Sequence, residues 1–492
     1  MSSQLVARYS DVSLVLFAVF HARDSLSDES DREEALTSFR QSVIDFWREQ
    51  CPDADIQNTL LTNVQDAFKD SPENQTSDYS VQGLGTVVIS PQQDEQNYNP
   101  ATNNIPLSNG LALSARATRY GDSFAYQLSL IDEGNDPIDK KFTKLKAEQA
   151  SIKARLHPNN ANKHFIGFAE TYVVECRLDP FPHELIADSL YFLPSNHPNP
   201  LLKTSFGYLS LSPQHASSLI FTPNTELDPQ AFKKALDFIY YQAPHPLGLA
   251  AIAVAQSKIF KAQALSQRLD KEMLHPLKKR LNYLLDETHI HIVKRPSRRP
   301  LARANQDSHH IEDIQELIPS ALRLQDGLSQ LNKALNINLS IINITLKRFL
   351  DPNSDNHPQL ANNLAPLQGI AQAVEHKSTN ANTVLQHASQ ELNAYQALSQ
   401  NRSARIERLL GLIATIILFK ELLNFTTTPI FTSQRWSWLN TFIQNHASDI
   451  HGIIFFVLVI ALGYVAYVLW RSLPRWVSWV LVLGILGIWA IE

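Results

Sequence analysis

The sequence predicts an α+β cytosolic domain, then a long helical hairpin or coiled coil, and then a C-terminal α-helical transmembrane region. Three observations carry this reading. Candidate strands gather before about residue 245, and from Asp228 onward the chain reads as helix. Apolar residues recur at a 3.5-residue spacing between Leu360 and Tyr395. The longest apolar runs all fall within the last ninety residues, although the 492-residue chain as a whole is only 44% hydrophobic. The predicted divisions are a regulatory domain over 1–245, a helical stalk over 246–403 with a basic linker at 294–308, and a membrane region over 404–492.

Within the first domain, Val12–Phe20 is rich in β-formers and reads as a central strand. Asp31–Glu49 is an amphipathic helix with Ala35, Phe39, Val43, Ile44 and Trp47 on one face, and Ile56–Phe68 is a second helix. Gly85–Ser90 is a short strand. Leu111–Ala117 and Phe124–Ile131 alternate around Tyr120-Gly121-Asp122, which signals a hairpin. A helix follows over about Pro137–Leu156, then strands at His164–Cys176, Glu184–Phe192, Ser205–Leu211 and Ser218–Phe221. A doubly wound sheet is the alternative topology. Two loops rich in Asn, Gln, Ser and Asp, Ser71–Ser80 and Pro91–Asn109, read as mobile segments first and as lids second.

Charge and composition exclude several functions. A net charge of −5 argues against direct nucleic-acid binding. Cys51 and Cys176 are too few for a disulfide framework and read as buried free thiols. The apolar stretch Val12–Phe20 lacks a basic start and a small-residue cleavage site, so it is expected to be a buried strand rather than a secretory signal. No glycine-rich phosphate loop, nucleophile elbow, zinc-protease helix or Cys-x-x-Cys pair occurs, and no catalytic constellation emerges; the expectation is a protein that is not an enzyme.

The regulatory domain ends in a helix over Ala231–Tyr241, and the stalk opens with one over Leu247–Glu287, bent at Pro276. His289 and His291 alternate as on a strand. Lys294, Arg295, Arg298, Arg299 and Arg303 make a basic linker, read first as solvated and second as a contact for anionic lipid or phosphate. His309, His310, Glu312 and Asp313 cluster at the next helix start, a polar cap whose alternative is a metal site for a divalent cation. Leu324, Leu328, Leu331, Leu335, Leu339, Ile342, Leu346 and Phe349 mark one long helix; after the break at Asp351–Asp355, a second runs from about Leu364 to Phe425. The two are expected to form an antiparallel hairpin.

A span needs about 20 mostly apolar residues. Leu409–Phe419 is an eleven-residue run that then meets Lys420 and Glu421, so the first span, about 409–425, takes charge into the bilayer. Ile453–Trp470 and Trp476–Ile491 are tryptophan-flanked second and third spans. Arg402, Arg405 and Arg408 precede the first span and Arg471 and Arg475 separate the other two, whereas Thr426–His451 has one arginine and no lysine. Positive residues stay inside. The predicted location is the inner membrane, multi-pass, with the large N-terminal part cytoplasmic and the C-terminus outside.

The stretch Asn401–Leu418, NRSARIERLLGLIATIIL, resembles the end of the long helix in the CorA family of divalent-cation channels. The order of parts agrees as well, from α/β domain through helical hairpin and very long helix to the spans. Close similarity covers about forty residues. The family's Gly-Met-Asn signature is absent, the chain reading Leu423-Asn424-Phe425-Thr426-Thr427-Thr428-Pro429 in its place, and the third span and larger soluble domain depart from the family pattern. The resemblance implies a homopentamer in membrane lipid with the first span lining a pore.

Carried over position by position, the pore stripe is Glu407, Leu410, Ala414, Leu418, Glu421 and Phe425. Leucine rings would gate by dewetting and glutamate rings would favour cations; the competing reading of Lys420 and Glu421 is a short span whose charges snorkel outward. The function expected first is a signal-gated membrane effector, as in prokaryotic antiviral defence, with a small nucleotide second messenger as ligand of the cytosolic domain. A divalent-cation transporter and a non-conducting membrane-anchored scaffold are the alternatives.

Overall fold

The computed structural model describes residues 8–21, 86–87, 105–107, 109–120, 123–156, 164–177, 182–192, 200–224, 226–240, 248–293, 300–351 and 357–425, with isolated positions between 37 and 46 and between 441 and 464. The helix expected at Ile56–Phe68 and the loop Ser71–Ser80 lie outside them. Of the helix expected over Asp31–Glu49, Thr37, Gln41, Ser42, Asp45 and Phe46 are helical, and Phe46 is buried.

The centre of the sheet domain is β1 (Tyr9–His21). Its run Leu14–Phe20 is fully buried, so both of its faces are covered. A strand with no solvent face reads as a continuous apolar run rather than an alternation. Around it lie β2 (Thr86–Val87), β3 (Ile105–Pro106), β4 (Leu111–Tyr120), β5 (Ser123–Asp132), β6 (Phe165–Cys176), β7 (Leu202–Thr204), β8 (Gly207–Leu211) and β9 (Ser217–Pro223). The order is β2-β4-β5-β1-β6-β9-β8-β7, with β3 also on β4. The pair β6–β9 is parallel and the other described pairs are antiparallel, so the sheet is mixed.

Helices α1 (Ile138–Leu156) and α2 (Pro182–Phe192) cover one face. There Phe142, Leu145, Ile152, Leu185 and Phe192 meet Leu14, Leu16, Tyr126, Leu128 and Val174 in a single apolar cluster. Helix α3 (Pro229–Tyr240) packs on β9, and its Ile239 carbonyl accepts a hydrogen bond from buried Gln127 of β5. Glu184–Phe192, expected as a strand, is the helix α2. Pro182 stands at its first position, where the missing N–H is no loss, and Glu184 sits in its positive first turn. Leu185 and Phe192, seven residues apart, supply its buried stripe.

After α4 (Leu249–Leu269), the bend expected at Pro276 is a π-helical turn, Asp270–Leu274, in which the His275 N–H donates to the Asp270 carbonyl. The widened turn leads directly into Pro276, which lacks an N–H and crowds the carbonyl four residues before it. His289 and His291, expected on a strand, lie on α5 (His275–Val293), which begins beyond this turn. Helices α6 (Pro300–Phe349) and α7 (His357–Phe425) follow, and α7 continues through Pro366. Buried Leu360, Leu364, Leu367, Ala371, Val374, Ala381, Ala388 and Tyr395 trace the predicted stripe of α7.

The expected C-terminal transmembrane region is corrected by the structure: among the described residues no helix is long and apolar enough to cross a membrane. Within α7 the apolar run Leu409–Phe419 is bracketed by Arg408 and by Lys420 and Glu421, too closely for a continuous apolar stretch of spanning length. The runs at 453–470 and 476–491 lie outside the described residues except Ile460 and Tyr464, both helical and exposed.

The chain divides into two compact units, Met1–Arg268 with Gly327–Lys377, and Leu269–Asp326 with Ser378–Glu492. In the first, the junction of α6 and α7 is fastened to the sheet's β7 edge. The Ser205 N–H donates to the Phe349 carbonyl (2.8 Å) and the Asp351 N–H to the Lys203 carbonyl (3.2 Å), so the segment after α6 extends the ladder. Phe349 packs edge-on to Phe238 and Phe206, with ring centroids 4.8 and 6.1 Å away. Gly207 holds the β7–β8 turn at φ 135°, where a Cβ would fall 2.0 Å from the Phe221 carbonyl oxygen. Asn363 of α7, fully buried, donates to the Pro200 carbonyl (2.5 Å) and accepts the Leu211 N–H (3.2 Å). In the second unit, Arg280 of α5 pairs with Asp313 and Glu316 of α6.

Replacing Asn363 with Leu strips two buried backbone groups of their partner, so urea unfolding should show a loss of about 2 kcal/mol or more. Ser340→Ala, at an exposed position on α6, should stay within about 0.5 kcal/mol of the parent. Equal stability of the two variants would contradict the fastening role.

Candidate functional site

Chemistry-bearing side chains of the first unit gather at one end of the central strands. The start of β1 brings Asp11, the end of β6 brings Glu175, the end of β5 brings Asp132, and the first turns of α1 bring Lys141 and Lys144. Lys141, buried along its stem, donates from Nζ to Asp11 Oδ1 and to the Asp132 carbonyl, both at 3.0 Å. Lys144 bridges Asp132 (3.3 Å) and Asp136 (2.5 Å). That hydrogen bond holds Asp136 below the usual carboxylate range and raises Lys144.

Asp11 and Glu175 are register partners on adjacent strands, next to a bulge between Tyr9 and Asp11. Like charges placed so are mutually destabilising. Burial, and then the Asp11 charge, push the Glu175 carboxyl up to about 7, against the opposing effects of Ser10 and Lys141. On its other flank Glu175 pairs in register with the uncharged Thr222.

Beside this group, Arg8 and Tyr9 reach Asp188 of α2. Arg8 Nη1 donates to Asp188 Oδ2 at 2.8 Å and the Tyr9 hydroxyl to the same oxygen at 2.5 Å; Glu184 lies 3.4 Å from Arg8 Nη2. Burial opposes the Arg8 charge, but Asp188 and Glu184 outweigh it and its pKa is raised. Burial, helped by Asp188, also pushes the Tyr9 phenol up. Each of the cations Arg8, Lys141 and Lys144 is held by at least one carboxylate, and the acids of the cluster outnumber them. Glu175 is its member poised to gain or lose a proton near neutral pH.

Glu407, Leu410, Ala414, Leu418, Glu421 and Phe425 all lie on α7; Glu407 and Ala414 are exposed, and the other four side chains are outside the described residues. Lys294, Arg295, Arg298 and Arg299 are outside them too, and Arg303 lies on α6. His309, His310, Glu312 and Asp313 lie well inside α6 rather than at its start, and Asp313 accepts a hydrogen bond from Arg280 at 2.8 Å. Among the described residues no group of three His, Cys, Asp or Glu side chains is placed to hold a metal ion.

Sequence reading missed Asp11, Lys141 and Glu175. The available signals were an aspartate opening an otherwise apolar strand and a glutamate within Val173-Val174-Glu175-Cys176. Comparison with known proteins adds no relative, as no family model, curated protein or solved structure matches the chain.

Lys141→Met keeps the buried stem and removes the charge shared by Asp11 and the Asp132 carbonyl. Because Asp11 is part-exposed, the expected loss is about 2 kcal/mol rather than the larger penalty of a fully buried pair. Urea unfolding at pH 7 checks this; a change within about 0.5 kcal/mol would mean the ammonium is not holding the cluster.

Proposed function

We propose that the chain is a signal-gated membrane effector, CorA-like in plan, oligomeric, and not an enzyme. Its sheet domain senses a signal in the cytoplasm and the long helices pass the response toward the inner membrane, where ions leak. The ligand class proposed for the sheet domain is a small nucleotide messenger, and antiviral defence is the proposed setting.

The observation that supports this reading best is the fastening of the α6–α7 junction to the sheet edge through Phe349, Asp351 and Asn363. A shift of β7–β8 would be felt first at the start of α7, the helix on which the proposed pore residues lie. Action at a membrane rests on the resemblance of Asn401–Leu418 to the end of the long helix in the CorA family. The missing Gly-Met-Asn signature favours a leak over a selective transporter, since an effector that dissipates gradients needs little selectivity.

Flux recording on the full chain in liposomes tests the proposal. Current that appears only with a nucleotide, and whose cation preference falls in Glu421→Gln, is the expected result. Magnesium-selective flux governed by magnesium alone would make the chain a transporter, and silent bilayers around a stable oligomer would make it a scaffold.

A further inference from the structure

The start of β1 and the end of β6 hold more negative charge than their surroundings neutralise. Asp11 and Glu175 face one another across the ladder. Lys141 is the cation that acts on Glu175, and its two hydrogen bonds go to Asp11 and to the Asp132 carbonyl. The next cation along α1, Lys144, lies between Asp132 and Asp136. On α2, Glu184 and Asp188 add further negative charge, and Arg8 is held by both of them. Arg177 follows at the exposed end of the segment, where its N–H donates to the Arg8 carbonyl. From β9, Thr222 offers no charge.

We infer that the Asp11–Glu175 pair is a pH-sensitive latch: one proton held on Glu175 keeps the start of β1 seated on β6, and its loss loosens that end of the sheet. The geometry makes this an irregular point of the β1–β6 ladder, as is the shift between Val19 and Phe20 at its other end. The bulge between Tyr9 and Asp11 already interrupts the pairing, and the Ser10 hydroxyl spans the gap only through a 3.3 Å hydrogen bond to the Glu175 carbonyl. Ionising Glu175 sets two carboxylates side by side at this interruption. The raised Glu175 value near 7 puts the transition in the physiological range. This inference concerns the sheet domain alone and does not depend on membrane action.

The sign follows from linkage. Glu175 binds its proton more tightly in the folded chain than in the unfolded one, so its protonation stabilises the fold at low pH and that contribution is lost as pH rises toward and through about 7. Between pH 6 and 8 the folding equilibrium constant of the full chain should fall by about tenfold through this one group. Glu175→Gln mimics the protonated form and should remove that slope, its advantage over the parent growing with pH. Hydrogen exchange at Tyr9–Val12, corrected for the intrinsic pH dependence, should rise above pH 7 in the parent and not in the variant.

Asp11→Asn provides a second reading should the glutamine variant fail to fold. With the facing charge removed, the carboxyl signal in acid-minus-base infrared difference spectra should titrate at lower pH than in the parent. An unchanged pH slope in Glu175→Gln, or a carboxyl signal whose midpoint does not move in Asp11→Asn, would overturn the inference.

Discussion

Burying β1 on both faces is the constraint on which the first unit depends. A strand with no solvent face must have every backbone group paired, and β5 on one side and β6 on the other accomplish this along most of its length. The two layers then follow. One face of β1 requires the apolar cover of α1 and α2, while the second is closed partly by polar contacts such as Gln127 to the Ile239 carbonyl and the 2.7 Å hydrogen bond between Thr171 and Ser218. Where the apolar run of β1 gives way to Ser10 and Asp11, the cover ends and the charged cluster begins. The polar end is a consequence of the same strand's composition.

How much of this was legible depends on how local each signal is. The continuous apolar run of β1 and the alternation of β4 and β5 are local, and these strands fall where their sequences place them. The 3.5-residue repeat of α7 reports its own buried face. Segment α2 misled because Ile186, Tyr191 and Phe192 have strand-forming character, whereas Pro182 and Glu184 at its start favour a helix. His289 and His291 alternate, yet they belong to a helix that begins fourteen residues earlier, at His275. Hydropathy alone suggests a span at 409–425, but a helix able to cross must also be free of the charges that bracket that run.

The charged cluster and the helix junction were not legible for a different reason. Asp11 and Lys141 are 130 residues apart, and Leu211 and Asn363 are 152 apart. No periodicity links the members of either pair. The fold brings them together through the order β5-β1-β6 and through the β7 edge, where the segment after α6 pairs. These long-range contacts hold the charged cluster and the helix junction on the sheet.

The α6–α7 junction and the sheet edge are held as one cooperative piece through Phe349, Asp351 and Asn363. Native-state hydrogen exchange on the full chain tests it most directly, at the Ser205 and Leu211 amides that bond to Phe349 and Asn363. The account predicts that both exchange only through the same large opening that exposes the Leu14–Val19 amides of β1. Fast exchange at Ser205 and Leu211 while β1 stays protected would show that the junction detaches on its own, and would contradict the account.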